Sequence, residues 1–501
     1  MLSQLLAGRR LALLGGLLAI PWVASGQNSF SPGGADYVIA GALAGDQTSP
    51  QAAVNMSGGF VVWQDNSINL NGLRIRAQRL NSSLTRAQMP FVVSSVAGAA
   101  NTGDQEKPQV ALLNNGGAVI VWQGGRFGFQ KVYARFCGAN GTFLTSDIRV
   151  NSYTNSFQVH PSAAVLADGT VVVVWASDGQ DGDMQGIFGQ RFSDTGTKLE
   201  GEFQINQWSF RNQRTPAVAA LANTNFVVVW ISELQRGAAT VDAYARVFNA
   251  AGAPVGNEFV VNTSTTNACA NPSVAGSPRG GFAVVWSQMD DVLMAAGSVS
   301  GVQVTPIKTS KSTNSWDVVG RLFNANGAAA SGAIVLNTKR YGDQFGPKIA
   351  AFGKGYLAVW TSFGQDTSRE GVFGQFLAAD GGPLGVEFGV NSATVSRQMH
   401  PAIATDGDSR FLVLWSSFGA GTSFDVFARS YDLIRLEAAA TPDGVILSWN
   451  ALPGLVYQVQ TSTDNLTWTD FGSPRTAAGH GDSITLSATG SGAFYRVIRL
   501  Q

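Results

Sequence analysis

The chain has 501 residues, and its 33 Lys and Arg side chains balance its 33 Asp and Glu side chains. This balance gives no electrostatic signal for nucleic acid or an anionic membrane surface, and 45% hydrophobic residues exclude a disordered chain. Only 13% of the residues are charged, and 59 are glycine. Such a composition favours short β-strands joined by tight turns.

The first predicted element is a secretory signal peptide over residues 1–26. Arg9 and Arg10 precede an apolar stretch at 11–24, and small residues before Gln27 offer a cleavage site. An uncleaved membrane anchor is the alternative, but that stretch is short for a spanning helix, which needs about 20 apolar residues. We therefore expect export to the periplasm, the cell surface or the extracellular space, with no transmembrane segment after cleavage.

A long repeat follows the leader. Seven runs rich in Val and Leu each end in Trp, and successive Trp residues are 59, 53, 55, 56, 74 and 55 positions apart. These residues are Trp63, Trp122, Trp175, Trp230, Trp286, Trp360 and Trp415. Each unit also has a Pro before the run, at Pro50, Pro108, Pro161, Pro216, Pro272, Pro347 and Pro401. Gln stands three residues before that Pro in six units, and Cys269 takes its place in the fifth.

Each unit contains four apolar runs separated by turn residues, as in "PSAAVLA", "TVVVVWAS", "GIFGQRF" and "GEFQIN" of the third unit. Four strands in each of seven units predict an all-β fold with a seven-bladed β-propeller over residues 27–433. An open solenoid is the alternative. The seventh unit lacks its fourth run, whereas a matching run, "ADYVIAG", occurs at Ala35–Gly41. We expect this N-terminal strand to complete the last blade and close the ring.

Two further expectations concern single residues of the repeat. The third run of every unit carries a small residue followed by Arg or Gln, as in Gly189-Gln190 and Ala245-Arg246. Because all seven units have it, we expect this polar side chain to hydrogen-bond a turn of its own blade. The two cysteines, Cys137 and Cys269, fall in units too distant for a disulfide and should be buried as small apolar residues.

Residues 434–501 have another pattern, with alternating apolar residues that predict a small antiparallel β-sandwich. The segment resembles compact fibronectin type III-like modules of secreted bacterial proteins. Within it, "STDNLTW" at Ser462–Trp468 resembles an Asp-box, with Leu466 replacing the usual Gly. That motif implies an Asp side chain that caps a hairpin. The repeats at 35–432 resemble the tandem "GQDGdg" and "vfgQrF" units of secreted and surface bacterial proteins, a likeness that implies no single activity.

The loops between the second and third strands vary most among the units, and variable loops on a rigid scaffold are where binding usually occurs. They share one face with the loops that lead into each first strand. The long insertion of the fifth unit, at Asp290–Trp316, falls in one of them. The candidate ligand-binding residues on this face are Asp65, Arg126, Asp178, Asp181, Asp183, Glu233, Asp290, Asp291, Asp366 and Glu370.

The loop "SDGQDGD" could supply calcium ligands through Asp178, Asp181 and Asp183. The alternative is a turn whose carboxylates accept backbone N–H bonds. No other cofactor is indicated. His160 and His400 occupy one repeat position and are predicted to be structural. The sequence has no H-E-x-x-H, G-x-S-x-G or phosphate-loop motif, and it does not show whether any two loop carboxylates converge as in a glycosidase.

Three functions are therefore compatible with the sequence. The preferred one is a non-enzymatic protein of the cell surface or extracellular space that recognises a glycan or a protein through the loop face. The second is a structural or adhesive component of an envelope or matrix, and the third is a carbohydrate-active enzyme of glycosidase or sialidase type. The sequence gives no indication of the oligomeric state.

Overall fold

A computed structural model of the chain describes residues 29–500, except 42, 68–71, 95–102, 290–314, 354, 419–422, 442–443, 452, 465–466, 480 and 488–493. The predicted signal peptide and most of the fifth-unit insertion lie outside these residues. The described residues form β-strands, turns and bends without a helix, so this part of the chain holds no helix that could span a membrane. They divide into two compact units, one of residues 36–429 and one that combines residues up to 35 with those from 430 onwards.

The larger unit consists of antiparallel sheets whose strands follow the chain order. Sheet 1 comprises β3 (Gln47–Asn55), β4 (Gly58–Asp65), β5 (Arg74–Leu80) and β6 (Phe91–Val92). Sheet 2 comprises β7 (Gln105–Leu112), β8 (Ala118–Gly124), β9 (Lys131–Cys137) and β10 (Ile148–Arg149). Sheet 3 comprises β11 (Gln158–Val165), β12 (Val171–Asp178), β13 (Gln185–Phe192) and β14 (Lys198–Gln204).

The next sheets repeat this arrangement. Sheet 4 comprises β15 (Gln213–Ala220), β16 (Phe226–Glu233), β17 (Val241–Phe248) and β18 (Phe259–Val260). Sheet 5 comprises β19 (Cys269–Gly276), β20 (Phe282–Met289), β21 (Trp316–Phe323) and β22 (Ile334–Val335). Sheet 6 comprises β23 (Gln344–Phe352), β24 (Gly355–Phe363), β25 (Glu370–Ala378) and β26 (Pro383–Gly389). Sheet 7 begins with β27 (Gln398–Thr405), β28 (Arg410–Phe418) and β29 (Phe424–Ile434).

The fourth strand of sheet 7 comes from the other end of the chain. Strand β2 (Tyr37–Val38) pairs antiparallel with β29, with Tyr37 opposite Ala428. This confirms the pairing expected for the N-terminal run. Asp36 reinforces it, because its carboxylate lies 3.4 Å from the Arg429 guanidinium and accepts the N–H of Ser392 from the loop after sheet 6 at 2.7 Å.

Consecutive sheets pack face to face around a closed circuit. The first strand of each sheet contacts the first strand of the next, from β3 through β7, β11, β15, β19 and β23 to β27, which contacts β3 again. The Trp at the end of each valine-rich run is at most 1% exposed. In six cases it belongs to an apolar cluster shared with the preceding sheet, as Trp230 does with Val172 and Val174 of sheet 3. These features define a β-propeller-like, all-β fold.

Polar side chains also connect neighbouring sheets. Asn206, just after β14, accepts the N–H of Ile187 in its own sheet at 2.7 Å and donates to Gln213 of sheet 4 at 3.2 Å. Asn151, Asn337 and Asn391 make the same pair of contacts at their own junctions. The repeat therefore provides an amide clip between the end of one sheet and the start of the next.

The polar residue of the third strand behaves as the sequence indicates, with one addition. Gln190 donates to the carbonyl of Leu199, at the start of strand β14 in its own sheet, at 3.1 Å. Arg246 does the same to Gly256 at 3.0 Å, but its longer side chain also reaches Ile205 of the preceding sheet at 3.0 Å. Arg135, Arg321 and Arg429 likewise reach the preceding sheet. Cys137 and Cys269 are buried and unbridged, as expected.

The smaller unit contains two three-stranded sheets. One orders β30 (Leu436–Thr441), β31 (Gly444–Asn450) and β34 (Gly481–Ser487), and the other orders β33 (Thr469–Thr476), β32 (Val456–Ser462) and β35 (Phe494–Arg499). Strand β1 (Ser29–Pro32) pairs with residues 431–434. Trp449, Tyr457 and Val497 share one buried core between the sheets. In the Asp-box-like segment, Asp464 accepts the N–H of Thr467 at 2.8 Å, which confirms its capping role.

Candidate functional site

The loop face of the larger unit carries the connections from second to third strands and those that enter each first strand. Antiparallel order places these connections on one side and the tight turns on the other. This is the face that the sequence assigned to binding. Three groups of described residues are candidates for function. They are the charged residues predicted from the sequence, a set of exposed aromatic rings, and a set of cations on the inner wall.

The three aspartates proposed as calcium ligands lie on the loop of sheet 3, each bonded to a different segment. Asp178 accepts the Ser156 hydroxyl at 2.5 Å, Asp181 accepts the Asn206 amide at 3.1 Å, and Asp183 accepts the backbone N–H of Arg211 at 2.7 Å. Among the described residues, no three acidic, His or Cys side chains are grouped so that they could hold a metal ion. Calcium binding at these residues stays a prediction.

Asp181 is the most unusual of the predicted carboxylates. Its Oδ1 atom is buried without a hydrogen-bond partner. Burial raises the pKa of this carboxyl above its ordinary value, and the hydrogen bond from Asn206 acts in the opposite direction. A carboxyl with a raised pKa can serve as a proton donor nearer neutral pH than an exposed one can.

Two other candidates are held inside their own sheets. Asp65 is 0% exposed, since it accepts the Trp63 indole N–H at 3.1 Å and the Ser67 N–H at 2.7 Å, and lies 3.4 Å from Arg76. Glu233 forms a 2.8 Å ion pair with Arg214. Asp65 therefore presents no surface to a ligand, and Glu233 is partly neutralised by its partner.

The remaining candidates are spread around the face. Asp366 accepts the Ser368 N–H at 3.2 Å, and Glu370 lies 3.5 Å from Arg397. Arg126 is exposed on the loop of sheet 2. Asp290 and Asp291 lie outside the described residues. The described candidates thus belong to five different sheets, and those of different sheets share no ion pair or hydrogen bond.

Exposed aromatic rings are the feature of this face that sequence reasoning missed. In the described part of the chain, six Phe, Trp or Tyr residues are exposed; five lie on loop-face connections, and Phe363 ends strand β24 at the same face. They are Phe127 (91% exposed), Phe129 (64%), Trp208 (37%), Phe210 (50%), Tyr341 (75%) and Phe363 (49%). Aromatic residues inside polar loops, as in "GGRFGF" and "NQWSFRNQ", are the signal that could have identified them.

The loop that carries Trp208 and Phe210 is firmly held. The backbone N–H groups of Gln207 and Trp208 donate to the Glu258 carboxylate of the next sheet, at 2.6 and 3.1 Å. The two rings meet edge to face, with centroids 6.3 Å apart. A rigid pair of exposed rings loses little conformational entropy when it contacts a ligand.

The inner wall is formed by the first strands, and each has an irregularity at the residue before Pro. The backbone dihedral φ is positive at all seven positions, between 50° and 62°, at Ser49, Lys107, His160, Thr215, Asn271, Gly346 and His400. The pairing register shifts at this point in the strands, as between Val159 and Ser162. This bulge turns the side chain out of the ladder.

Four of these positions are anchored by the preceding sheet. The N–H groups of Lys107 and His160 donate to Gln64 and Gln123, at 2.9 and 2.8 Å. Those of Ser49 and Gly346 donate to serine hydroxyls at 3.2 and 3.0 Å. These hydrogen bonds make the bulge part of the interface between neighbouring sheets.

Comparison with known proteins gives solved structures of low similarity. No family model and no curated protein matches this sequence. An α-L-arabinanase of Penicillium chrysogenum is 13% identical, with 80% of this chain and 98% of that one covered and a TM-score of 0.43. A GH93 α-L-arabinofuranosidase of Fusarium graminearum is 10% identical, with 79% and 97% covered and a TM-score of 0.41. A Dyadobacter fermentans protein of unknown function is 10% identical, with 66% and 94% covered and a TM-score of 0.45.

These similar structures include glycoside hydrolases. Identities of 10–13% and TM-scores below 0.5 assign neither an activity nor a substrate to this chain. The class defined by the fold and the site is thus a β-propeller-like protein with an aromatic loop face.

Proposed function

We propose that the chain is a seven-bladed β-propeller, closed by its N-terminal strand and followed by a fibronectin type III-like module, that binds a glycan through the loop face. The single observation that carries this proposal is the placement of all six exposed aromatic residues of the described chain on that face. The faces of sugar rings present C–H groups, which pack against the electron-rich faces of aromatic rings. Loop carboxylates and amides would hydrogen-bond the hydroxyl groups.

We further propose that the protein is exported, with residues 1–26 removed, and acts in the periplasm, at the cell surface or outside the cell. This agrees with an extracellular glycan as ligand. A protein ligand and a purely structural or adhesive role are the competing interpretations. N-terminal sequencing of the secreted form should begin near Gln27, and an intact Met1 in that form would contradict the export proposal.

The binding test compares substitutions on the two faces. Trp208→Ala and Phe127→Ala should each lower affinity for the best ligand of a glycan array about 10-fold or more, because each removes one stacking surface. Met56→Ala and Val255→Ala serve as controls, since these exposed side chains lie in turns of the opposite face. Equal affinity of all four variants, or no glycan ligand at all, would overturn the proposal.

A second candidate function is glycoside hydrolysis at the same face. The observation that favours it is Asp181, whose carboxyl has a raised pKa and a buried Oδ1 without a hydrogen-bond partner. Such a group could protonate a glycosidic oxygen, but a second carboxylate across the substrate would be needed. Release of reducing sugar that disappears in Asp181→Asn, with binding retained, would support hydrolysis. Binding without any release would leave the protein non-enzymatic.

A further inference from the structure

The inner wall just below the loop face carries an excess of positive charge. Lys107 and His400 stand at the bulge before Pro in sheets 2 and 7 and are exposed to solvent. His160 occupies the same position in sheet 3 and is partly exposed, as is Lys348, which follows Pro in sheet 6. The bulge lies two residues after the first residue of each first strand, which is about 7 Å from the loop face.

These four residues lie on first strands, which enclose one common space. The charge of Lys107 acts on groups of three other sheets, because it lowers the pKa of His160, His400 and Lys348 in addition to the larger effect of burial. Sheets 6 and 7 are not neighbours of sheet 2 in the circuit. An interaction between them must therefore run across the enclosed space.

Few negatively charged groups offset this positive charge. In the described part of the chain, neither the Lys107 nor the Lys348 ammonium has an ion-pair or hydrogen-bond partner. Arg214, the other cation near His160, is paired with Glu233. Glu106, beside Lys107, accepts the Gln123 amide of its own sheet at 3.1 Å. His160 Nδ1 is buried and also has no partner.

We propose that this cluster, Lys107, Lys348, His160 and His400, binds an oxyanion group, and that the glycan ligand is therefore an acidic one, carrying carboxylate or sulfate groups. The proposal rests on the proposed glycan-binding function. The aromatic rings of the loop face would hold sugar rings, and one acidic substituent would enter between the two ammonium groups. Lysine ammonium groups donate strong charge-assisted hydrogen bonds to oxyanions.

The repeat itself supplies neutral alternatives at both lysine positions, so lysine is not required by the fold there. Ser49 occupies the position of Lys107 with nearly the same φ, 53° against 52°. Gln51 and Gln109 occupy the position of Lys348. Two unpaired cations across one enclosed space repel each other and lose hydration. A bound anion removes both penalties.

The experiment uses the full chain and three variants built from these equivalents, Lys107→Ser, Lys348→Gln and the double variant. Titration calorimetry compares a galacturonate oligosaccharide, a sulfated galactan fragment and a neutral galactan of similar length. The wild type should bind at least one acidic ligand about 10-fold or more tightly than the neutral one, and the double variant should lose that preference. Lys198→Gln on the outer strand β14 is the control and should keep it.

A second readout separates this inference from the proposed function. Sodium sulfate should raise the melting temperature of the wild type more than that of the double variant at equal ionic strength, since general salt effects act equally on both. Sulfate stabilisation that depends on the lysines, without any glycan binding, would support the anion site and contradict the glycan function. Equal sulfate effects in wild type and double variant, or equal affinity for acidic and neutral glycans, would overturn the anion site.

Discussion

His160 shows how a single residue of the inner wall can make stability depend on pH. Burial, together with the charges of Lys107 and Arg214, lowers the pKa of its imidazole from 6.5 to about 4. The folded state therefore disfavours the protonated ring. Above pH 6.5 the imidazole is neutral in both folded and unfolded chains and contributes no pH dependence. Below pH 6.5 the unfolded chain takes up the proton first, so stability falls until about pH 4.

We predict that His160→Asn removes part of this acid sensitivity. Asn271 occupies the equivalent position with φ of 50°, so the backbone conformation accepts Asn. The loss of unfolding free energy between pH 7 and pH 4 should be about 1–3 kcal/mol smaller in the variant than in the wild type. Urea unfolding followed by tryptophan fluorescence at both pH values measures it.

His400→Asn is the matched control, since the pKa of His400 is lowered by burial and the charges of Lys107 and Lys348, and its side chain is more exposed. Its effect should have the same sign and be smaller. An identical pH dependence in His160→Asn and wild type would show that the native protein takes up this proton as readily as the unfolded chain.

The residue scale is also where sequence reasoning was weakest. The acidic residues were chosen because they are charged and lie in loops, but Asp65 is fully buried against Trp63 and Arg76. Spacing along the chain does not reveal such local bonding. The positive φ before each Pro was equally hidden, because it arises from packing between sheets.

At the scale of the element, four junctions between consecutive sheets are each bridged by one asparagine side chain. Asn206 is 3% exposed and contacts Ile187, Gln213 and the carbonyl of Trp208. It thereby fixes both the end of sheet 3 and the loop that carries the exposed aromatic pair. Rigid presentation of those rings depends on this residue.

We predict that Asn206→Ala lowers the unfolding free energy by about 2–4 kcal/mol, because a buried N–H and a buried Gln side chain lose their partner. Ligand affinity should also fall, since the Trp208 loop becomes less ordered. Urea unfolding and calorimetry measure the two effects.

Asn206→Ser is the conservative control. Ser94 stands at the equivalent place after β6, where its hydroxyl lies 3.5 Å from the N–H of Ile75. The serine variant should keep part of the stability and part of the affinity. A loss as large as that of Asn206→Ala would mean that volume, and not hydrogen bonding, makes this position important.

Strands and turns were the most predictable elements. Alternating and continuous apolar runs between Gly, Asn and Asp turns mark each hairpin. Because the pattern recurs in seven units, an ambiguous strand in one unit can be assigned from the others. The Trp that ends each valine-rich run recurs in all seven units, and all seven are at most 1% exposed. The aromatic loops escaped notice because they lack a periodic pattern.

At the scale of the whole molecule, the circuit of sheets is completed by two residues of β2. The ladder between β2 and β29 spans Tyr37 and Val38, and the Ile39 N–H adds one bond to the Val426 carbonyl at 2.9 Å, so side chains reinforce a short backbone pairing. Tyr37 donates to the carbonyl of Leu84 at 2.8 Å, and Asp36 binds Arg429 and Ser392. Closure removes a sheet edge that would otherwise be open to pairing with other chains.

We predict that Asp36→Ala lowers the unfolding free energy by about 2–4 kcal/mol, because it leaves the largely buried Arg429 guanidinium without its carboxylate. Concentration-dependent self-association should increase as β2 detaches. Thermal unfolding and light scattering after size exclusion measure both. Asp194→Ala, at an exposed turn of sheet 3, is the control. A closed monomer with wild-type stability would show that backbone pairing alone holds the ring.

The pairing of Tyr37 with Ala428 also determines how late in biosynthesis the ring of sheets can close. Nearly the whole repeat array must be made before β2 meets its partner, which at 5–20 residues per second takes roughly 20–80 seconds. Until then β2 waits unpaired, and the outward side of sheet 1 has no neighbour. A ribosome that stalls late therefore leaves a nearly complete chain whose unpaired strand and uncovered sheet can associate with other chains. Chaperones that shield the newborn N-terminal segment would have their greatest effect during this interval.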